Sequence, residues 1–334
     1  MRFPISLTAS LAAYIFKKKL SNGQVRFPLV LMLEPLHACN LTCTGCGRIR
    51  EYQQTISQSL TVEQCLRAVD ECGAPVVSIC GGEPLIYPPI SELARRVLER
   101  KKHIYLCTNG MFLEKRLGEF TPSNRFFFNV HLDGLEKTHD MCVERQGVFQ
   151  AAVAGIRAAK QAGFMVCTNT TVYKETDMAE IRDLFQYLHG LGVDGFMLSP
   201  GYSYQAVGSK EIFMSREDIH EKFRQAESLL KRFKLNTSPV YLEFLRGQRP
   251  LSCAAWANPT YNTWGWRVPC YMIADGHHQT FAEFLQQTPW EKYGYGRDPR
   301  CERCMMHCGY EPAAALGLNR KLGDSLKMAL WALT

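Results

Sequence analysis

The chain has 334 residues, 46% of them apolar and 21% charged, with 14 cysteines and a formal net charge of +7. This balance excludes a disordered or collagen-like chain, and no apolar run approaches the roughly 20 residues of a membrane-spanning helix. No Lys/Arg stripe interleaved with aromatics marks a nucleic-acid surface.

The start is mildly apolar, but Lys17-Lys18-Lys19 stands where a leader-cleavage site would fall. Secretion and a disulfide framework are therefore not expected. The expected setting is a reducing cytoplasm, where thiols are free to bind metal.

Residues 29–36 read as a strand. Thr61-Val-Glu-Gln64 is a capping-box pattern, after which Val62, Cys65, Leu66 and Val69 share one helical face. Strands follow at 75–80, 103–107, 126–132, 164–172 and 195–199, and helices at 90–100, 111–119, 148–162, around 181–190 and at 215–233. Six β/α units in a row predict a parallel sheet with helices outside it. A doubly wound open sheet and a partial or full barrel both satisfy this pattern. Past residue 236 the texture changes: 236–312 is rich in Pro, Gly, Trp and Tyr, poor in helical periodicity, and holds five cysteines. The predicted division is an amphipathic segment at 1–27, an α/β core at 28–235 and a loop-rich unit at 236–334 that a metal would help to hold.

Cys39-x3-Cys43-x2-Cys46 lies in the loop after the first strand. Iron–sulfur clusters are held by thiolates at such spacings. Three ligands on a four-iron cluster leave one iron open to an amine and a carboxylate. The other readings are plain thiols or a structural zinc, for which His37 is the local fourth ligand. Active sites of β/α barrels gather on the loops after the strands, which is where this triplet stands. The second strand closes on Gly81-Gly82-Glu83-Pro84, where glycines let backbone carbonyls approach a ligand closely. Further polar groups end later strands: Thr108-Asn109, His131 and Asp133, Asn169, and Ser199.

The triplet and the Gly-Gly-Glu-Pro element together resemble the radical S-adenosylmethionine (SAM) superfamily. The resemblance implies an α/β fold with a partial (β/α)6 barrel. It implies a [4Fe–4S] cluster on Cys39, Cys43 and Cys46, with SAM chelated at the open iron. One electron into the sulfonium would then release methionine and a 5′-deoxyadenosyl radical. Gly81, Gly82, Glu83 and Pro84 would hold SAM, and Asn169 and then Asp133 would supply ribose and carboxylate contacts. One departure is Gly45, where the superfamily usually carries an aromatic residue.

The segments 29–36, 70–85, 105–110, 130–135, 193–204, 264–271 and 304–312 resemble the adenosyl-hopene transferase family of hopanoid biosynthesis over nearly the whole chain. Cys80 departs from the Pro expected there. This likeness implies addition of the adenosyl radical to the alkene of diploptene (hopene), followed by hydrogen-atom transfer to give adenosylhopane. It also implies an electron donor such as flavodoxin or ferredoxin. A thiol is a good hydrogen-atom donor, and Cys107 at the end of strand three is the catalytic candidate. Packing alone is its other reading.

Cys253, Cys270, Cys301, Cys304 and Cys308 form a second set. The x2 and x3 spacings within 301–308, with His307 beside them, are of ligand type. A second iron–sulfur cluster, a zinc and bare thiols are the three readings. Leu7, Leu11, Tyr14 and Ile15 near one end, and Leu322, Leu326, Ala329, Leu330 and Leu333 near the other, trace amphipathic basic helices. Such helices suit peripheral contact with the inner membrane face, or packing on the core. Phe126, Phe127, Phe128, Trp256, Trp264 and Trp266 would suit a hydrocarbon substrate. Alternative functions are another radical SAM enzyme, such as a peptide-modifying one, and a non-catalytic iron–sulfur sensor or scaffold.

Overall fold

The computed structural model describes residues 3–21, 26–227 and 232–333. Helix α1 (Ile5–Leu20) precedes strand β1 (Val30–Leu33). The core then runs α2 (Arg48–Glu51), α3 (Val62–Cys72), β2 (Val76–Ile79), α4 (Ile90–Glu99), β3 (His103–Thr108), α5 (Leu113–Arg116), β4 (Phe126–His131), α6 (Glu136–Cys142), α7 (Val148–Gln161), β5 (Met165–Val172), α8 (Met178–Gly190), β6 (Gly195–Pro200) and α9 (Arg216–Gln225). The remainder comprises α10 (Pro239–Leu245), β7 (Thr260–Asn262), β8 (Gly265–Pro269), β9 (Ala274–His278), α11 (Phe281–Gln287), α12 (His307–Leu316) and α13 (Asp324–Leu333). The part of the expected 215–233 helix at 228–231 lies outside the described residues.

Local chemistry accounts for the boundaries. The capping box at α3 forms in both directions, Thr61 Oγ1 accepting from Gln64 N at 3.2 Å and Gln64 Oε1 from Thr61 N at 2.7 Å. Gly73, at φ +67°, ends the helix in the left-handed conformation that costs glycine least. A second capping box opens α9 at Ser215 and Asp218.

The nine strands form one sheet in the order β6-β5-β4-β3-β2-β1-β7-β8-β9. Strands β1 to β6 are parallel neighbours in chain order. A doubly wound sheet reverses its order at a switch point, so this single winding selects the partial (β/α)6 barrel. The sheet does not stop at residue 235. Strand β7 pairs in parallel with β1, Met32 opposite Thr260, and β8 and β9 continue antiparallel. The stretch 236–312, expected as loop, thus adds three strands and most of three helices to the edge of the barrel. Its lack of helical periodicity reflects short elements packed on the sheet.

The two faces of the parallel strands differ. Leu31, Leu33, Val77, Ile79, Ile104 and Leu106 point at the helices and are fully buried. Tyr105, Cys107, His131, Asn169, Thr171 and Met197 point the other way and are only half-buried, so this inner face lines an open lumen. The aromatic set expected to hold a hydrocarbon is divided by this geometry. Phe126 and Phe128 pack in the helix-side core, and Trp266 is sealed against Phe281 and Phe284. Trp264 packs on Tyr52, and Trp256 on Trp290. Phe127 alone of the six is on the inner face, stacked on Tyr105 at 4.7 Å. Among the described residues, no helix is long and apolar enough to cross a membrane.

Candidate active site

The loop carrying Cys39, Cys43 and Cys46 is tied down from several directions. Cys46 N donates to Cys43 O at 3.1 Å, and Thr44 N to Cys142 O at 3.0 Å. Arg50 Nη1 donates to the carbonyls of Cys43 and Cys46, which gathers the loop around one guanidinium. Burial pushes the Cys39 thiol up to about 12, and Cys43 is also raised by burial and by its cysteine neighbours. One short loop thus carries three thiols, two of them well buried, and the chemistry of that donor set fits an iron–sulfur cluster. His37 is stacked on Tyr52 at 3.7 Å and contacts Thr55 Oγ1 at 3.1 Å. Its Nε2 is buried without a hydrogen-bond partner, 3.9 Å from Glu34 Oε2.

The Gly81–Pro84 turn is clamped to that loop. Gly82 N donates to Leu36 O at 3.1 Å, and Glu83 N to Ala38 O at 2.8 Å. A Cβ on Gly82 would stand 1.8 Å from Ala38 O, and one on Gly81, at φ +109°, 2.5 Å from Leu36 O. The close approach that requires glycine is thus to the backbone leading into Cys39. Glu83 is fully buried and accepts from Leu85 N at 2.9 Å, Thr108 Oγ1 at 2.7 Å and Asn109 N at 2.8 Å. Its carboxylate joins the ends of β2 and β3 beneath the site. Burial outweighs these bonds and holds its pKa up to about 6.

Two glycines flanking Cys46 each admit a tyrosine. A Cβ on Gly45 would lie 2.2 Å from Tyr173 Oη, and one on Gly47 2.3 Å from the Tyr204 ring. Tyr173 follows β5 directly. Tyr173 therefore occupies the space that a side chain at position 45 would take.

Cys107 faces the lumen. Its Sγ lies 3.3 Å from Ser78 Oγ and accepts from Asn129 Nδ2 at 3.6 Å. Burial raises the pKa of this thiol, keeping it protonated. In register, Cys107 pairs with Asn129 and Asn129 with Cys167. The next inner layer is His131, Asn169 and Met197. The Asn169 Oδ1 is buried with no protein partner. Asp133 is differently placed: one oxygen accepts from Thr171 N at 2.7 Å and the other contacts His131 Nε2 at 2.8 Å. Both oxygens are thus engaged inside the protein, and His131 is the group of the pair half-open to the lumen. Burial opposes its imidazolium, but the Asp133 carboxylate outweighs burial and raises its pKa.

The second cysteine set comes together. Cys253, Cys270, Cys301, Cys304 and Cys308 all line one cavity of about 270 Å³, with Tyr202, Met272 and Met306. His307 is not among the lining residues. Burial raises Cys301 to about 11 and Cys304 to about 12. Among the described residues, no three His, Cys, Asp or Glu side chains are drawn tightly enough to hold a single metal ion, at either cysteine set.

A buried charge network spans the space between the two loops, and it was missed from sequence. Arg48, two residues past Cys46, pairs with Glu34 at 3.1 Å and donates to Tyr271 O at 2.6 Å. Arg267 donates to the carbonyls of Cys270 and Ile273 at 3.2 Å and pairs with Glu51 at 3.0 Å. The available signal was an arginine beside each cysteine loop.

A radical SAM superfamily model matches residues 33–188, and a domain of unknown function, DUF3463, matches residues 196–328. The AdoMet-dependent heme synthase of Methanosarcina barkeri is 31% identical over 170 residues, 49% of this chain and 48% of its own length. The antilisterial bacteriocin subtilosin biosynthesis protein AlbA of Bacillus subtilis is 25% identical over 343 residues, 93% of this chain and 73% of its own length. The chain thus spans about half of the heme synthase and nearly three quarters of AlbA. Among solved structures, Streptococcus suis SuiB bound to the precursor peptide SuiA superposes with a TM-score of 0.64 at 15% identity, over 89% of this chain and 74% of that one. That likeness is one of fold.

Proposed function

We infer the function from one premise: the chain belongs to the radical SAM superfamily. It is accordingly an enzyme that uses SAM in radical chemistry. We propose that Cys39, Cys43 and Cys46 hold a [4Fe–4S] cluster, whose chemistry when bound is to pass one electron to the sulfonium of SAM. The Gly81–Pro84 turn and Asn169 Oδ1 would hold SAM, with Glu83 fixing the turn and the Asp133–His131 pair presenting the imidazole to the lumen.

The substrate we propose is hopene, adenosylated at its alkene to give adenosylhopane in hopanoid biosynthesis. The observation that carries this reading is Cys107, a protonated thiol on the lumen face held by Ser78 and Asn129. Addition to an alkene leaves a carbon radical that needs one hydrogen atom, and a thiol is suited to give it. Tyr105 and Phe127, stacked on the same face, would keep water from it. A low-potential electron donor such as flavodoxin or ferredoxin, in a reducing cytoplasm, would supply two electrons per turnover: one for the sulfonium, and one that, with a proton, returns the Cys107 thiyl left by hydrogen-atom transfer to the thiol. We further propose that the cavity of five cysteines takes a second metal group, an iron–sulfur cluster in preference to zinc. About eight irons per chain would support two [4Fe–4S] clusters, and about four would reject the second.

A peptide-modifying enzyme is the second reading, favoured by the likeness to AlbA in sequence and to SuiB in fold. The test is anaerobic incubation with SAM, a reductant and diploptene, followed by mass analysis. An adenosyl adduct is expected. Free 5′-deoxyadenosine without an adduct would favour the second reading, and no SAM cleavage would return an iron–sulfur sensor. Cys107→Ala is expected to lose the reduced adduct while still consuming SAM; unchanged yield would remove Cys107 from the reaction.

A further inference from the structure

Both faces of α1 are apolar. Leu7 is buried, with Leu11, Tyr14 and Ile15 beside it, while Ile5, Ala9, Ala12, Ala13, Phe16 and Leu20 form the exposed stripe. Their spacing of 4, 3, 1, 3 and 4 residues is that of a single helical face. Around α13 the exposed apolar residues are Leu322, Leu326, Ala329, Leu330 and Leu333, with the same spacing. Of the twelve large hydrophobic side chains exposed among the described residues, seven lie on these two segments. Core packing therefore accounts for one face of each helix and leaves the other unexplained.

The two helices are antiparallel neighbours. Phe3 at the start of α1 packs on Trp331 near the end of α13, ring centroids 5.1 Å apart. Lys19 at the end of α1 donates to Leu316 O, ahead of α13, at 2.8 Å. Lys17, Lys18 and Lys19 therefore lie at the same end of the pair as Arg320 and Lys321. The sole acidic residue in 3–21 and 317–333 is Asp324, which is buried against Arg249.

We propose that this paired helix face docks on an anionic phospholipid surface, its apolar stripes entering the headgroup boundary and its basic end contacting lipid phosphates. The charge pattern selects this occupant. A second copy docked through its own 3–21 and 317–333 would bring no exposed acidic side chain from those segments to the five cations, whereas an anionic bilayer brings negative charge. The inference holds whichever substrate the lumen takes.

Flotation of the full-length protein, without SAM or substrate, tests it. Vesicles of phosphatidylcholine mixed with phosphatidylglycerol should carry the protein upward, pure phosphatidylcholine much less, and added salt should release it. Phe16→Gln and Leu326→Gln should each lower partitioning about tenfold or more. Lys17→Gln with Lys321→Gln should lower it about fivefold per charge on anionic vesicles alone. Hydrogen exchange of the parent protein should slow on these vesicles in 5–20 and 324–333. Equal flotation of parent and apolar variants, absence of flotation, or protection elsewhere would overturn the proposal. So would a dimer in sedimentation velocity that Leu326→Gln dissociates, since the face would then join two copies.

Discussion

Gly82 offers a sharp test of how the candidate site is assembled. In Gly82→Ala the new Cβ meets Ala38 O at 1.8 Å, Ala38 C at 2.4 Å and His37 O at 2.6 Å. All three are backbone atoms, so no side chain can swing away. An ordinary carbon–oxygen contact is about 3.4 Å, so the two segments must part by roughly 1.5 Å. The bonds from Gly82 N to Leu36 O at 3.1 Å and from Glu83 N to Ala38 O at 2.8 Å do not survive that separation. Each contributes about 1 kcal/mol net, and more when a buried donor is left unpaired, which gives a loss of about 2–5 kcal/mol. Cys39 follows Ala38 directly, so the thiol moves with the strained segment, and under the proposed cluster assignment iron retention should fall as well. Anaerobic urea denaturation and iron content after reconstitution are the assays. Gly118→Ala is the control, because a Cβ there meets nothing within 4 Å; it should be neutral to within about 0.5 kcal/mol. A Gly82→Ala protein that loses under about 1 kcal/mol and keeps the parent's iron would refute the clamp.

Three further outcomes follow from the structure. Burial holds Glu83 near 6 against an ordinary 4.5, so the folded chain binds this proton more tightly and the group's contribution to stability falls as pH rises through that interval. Glu83→Gln should flatten that slope in denaturation curves at pH 4.5 and above, while losing about 1–3 kcal/mol for the amide that cannot accept both backbone bonds. Gly45→Phe should lower the melting temperature by displacing Tyr173, and adding Tyr173→Ala should recover much of the loss; additive losses would show that the two sites do not share space. Arg249 grips Asp324 through both carboxylate oxygens at 3.0 and 2.8 Å and holds its pKa down to about 2. That contribution is present above about 3.8 and is lost as pH falls toward 2, so hydrogen exchange in 324–333 should quicken over that interval. Asp324→Ala should lose about 2 kcal/mol or more, tempered by the Glu243 that remains beside Arg249.

Much of the site was legible because its signals are local. A thiol triplet within eight residues, a Gly-Gly turn after a strand and a capping box at Thr61 each speak through neighbours in the chain. The strands were legible as apolar runs, yet their faces were not. Parallel strands are buried on both sides, so Phe126-Phe127-Phe128 carries no alternation to show which ring faces the lumen. The role of Asp133 was obscured for another reason: its two oxygens are taken by Thr171 N and His131, contacts no spacing announces. The short helix α6 was missed as well, since seven residues hold too few turns to show a period.

Spacing along the chain determined the β/α alternation, the two groups of cysteines and the glycines that a close approach would need. Tertiary structure decided which distant residues meet. It turned the Gly-Gly turn onto the backbone of 36–38, filled the space at Gly45 with Tyr173, and brought Cys253 to the cavity of Cys270, Cys301, Cys304 and Cys308. It also ran β7 beside β1, so that Arg48 and Arg267, 219 positions apart, lie in one charge network with Glu34 and Glu51. The physical reason is that a capping bond or a turn is satisfied within a few residues, whereas a buried charge or an open space is satisfied only by whatever the fold delivers.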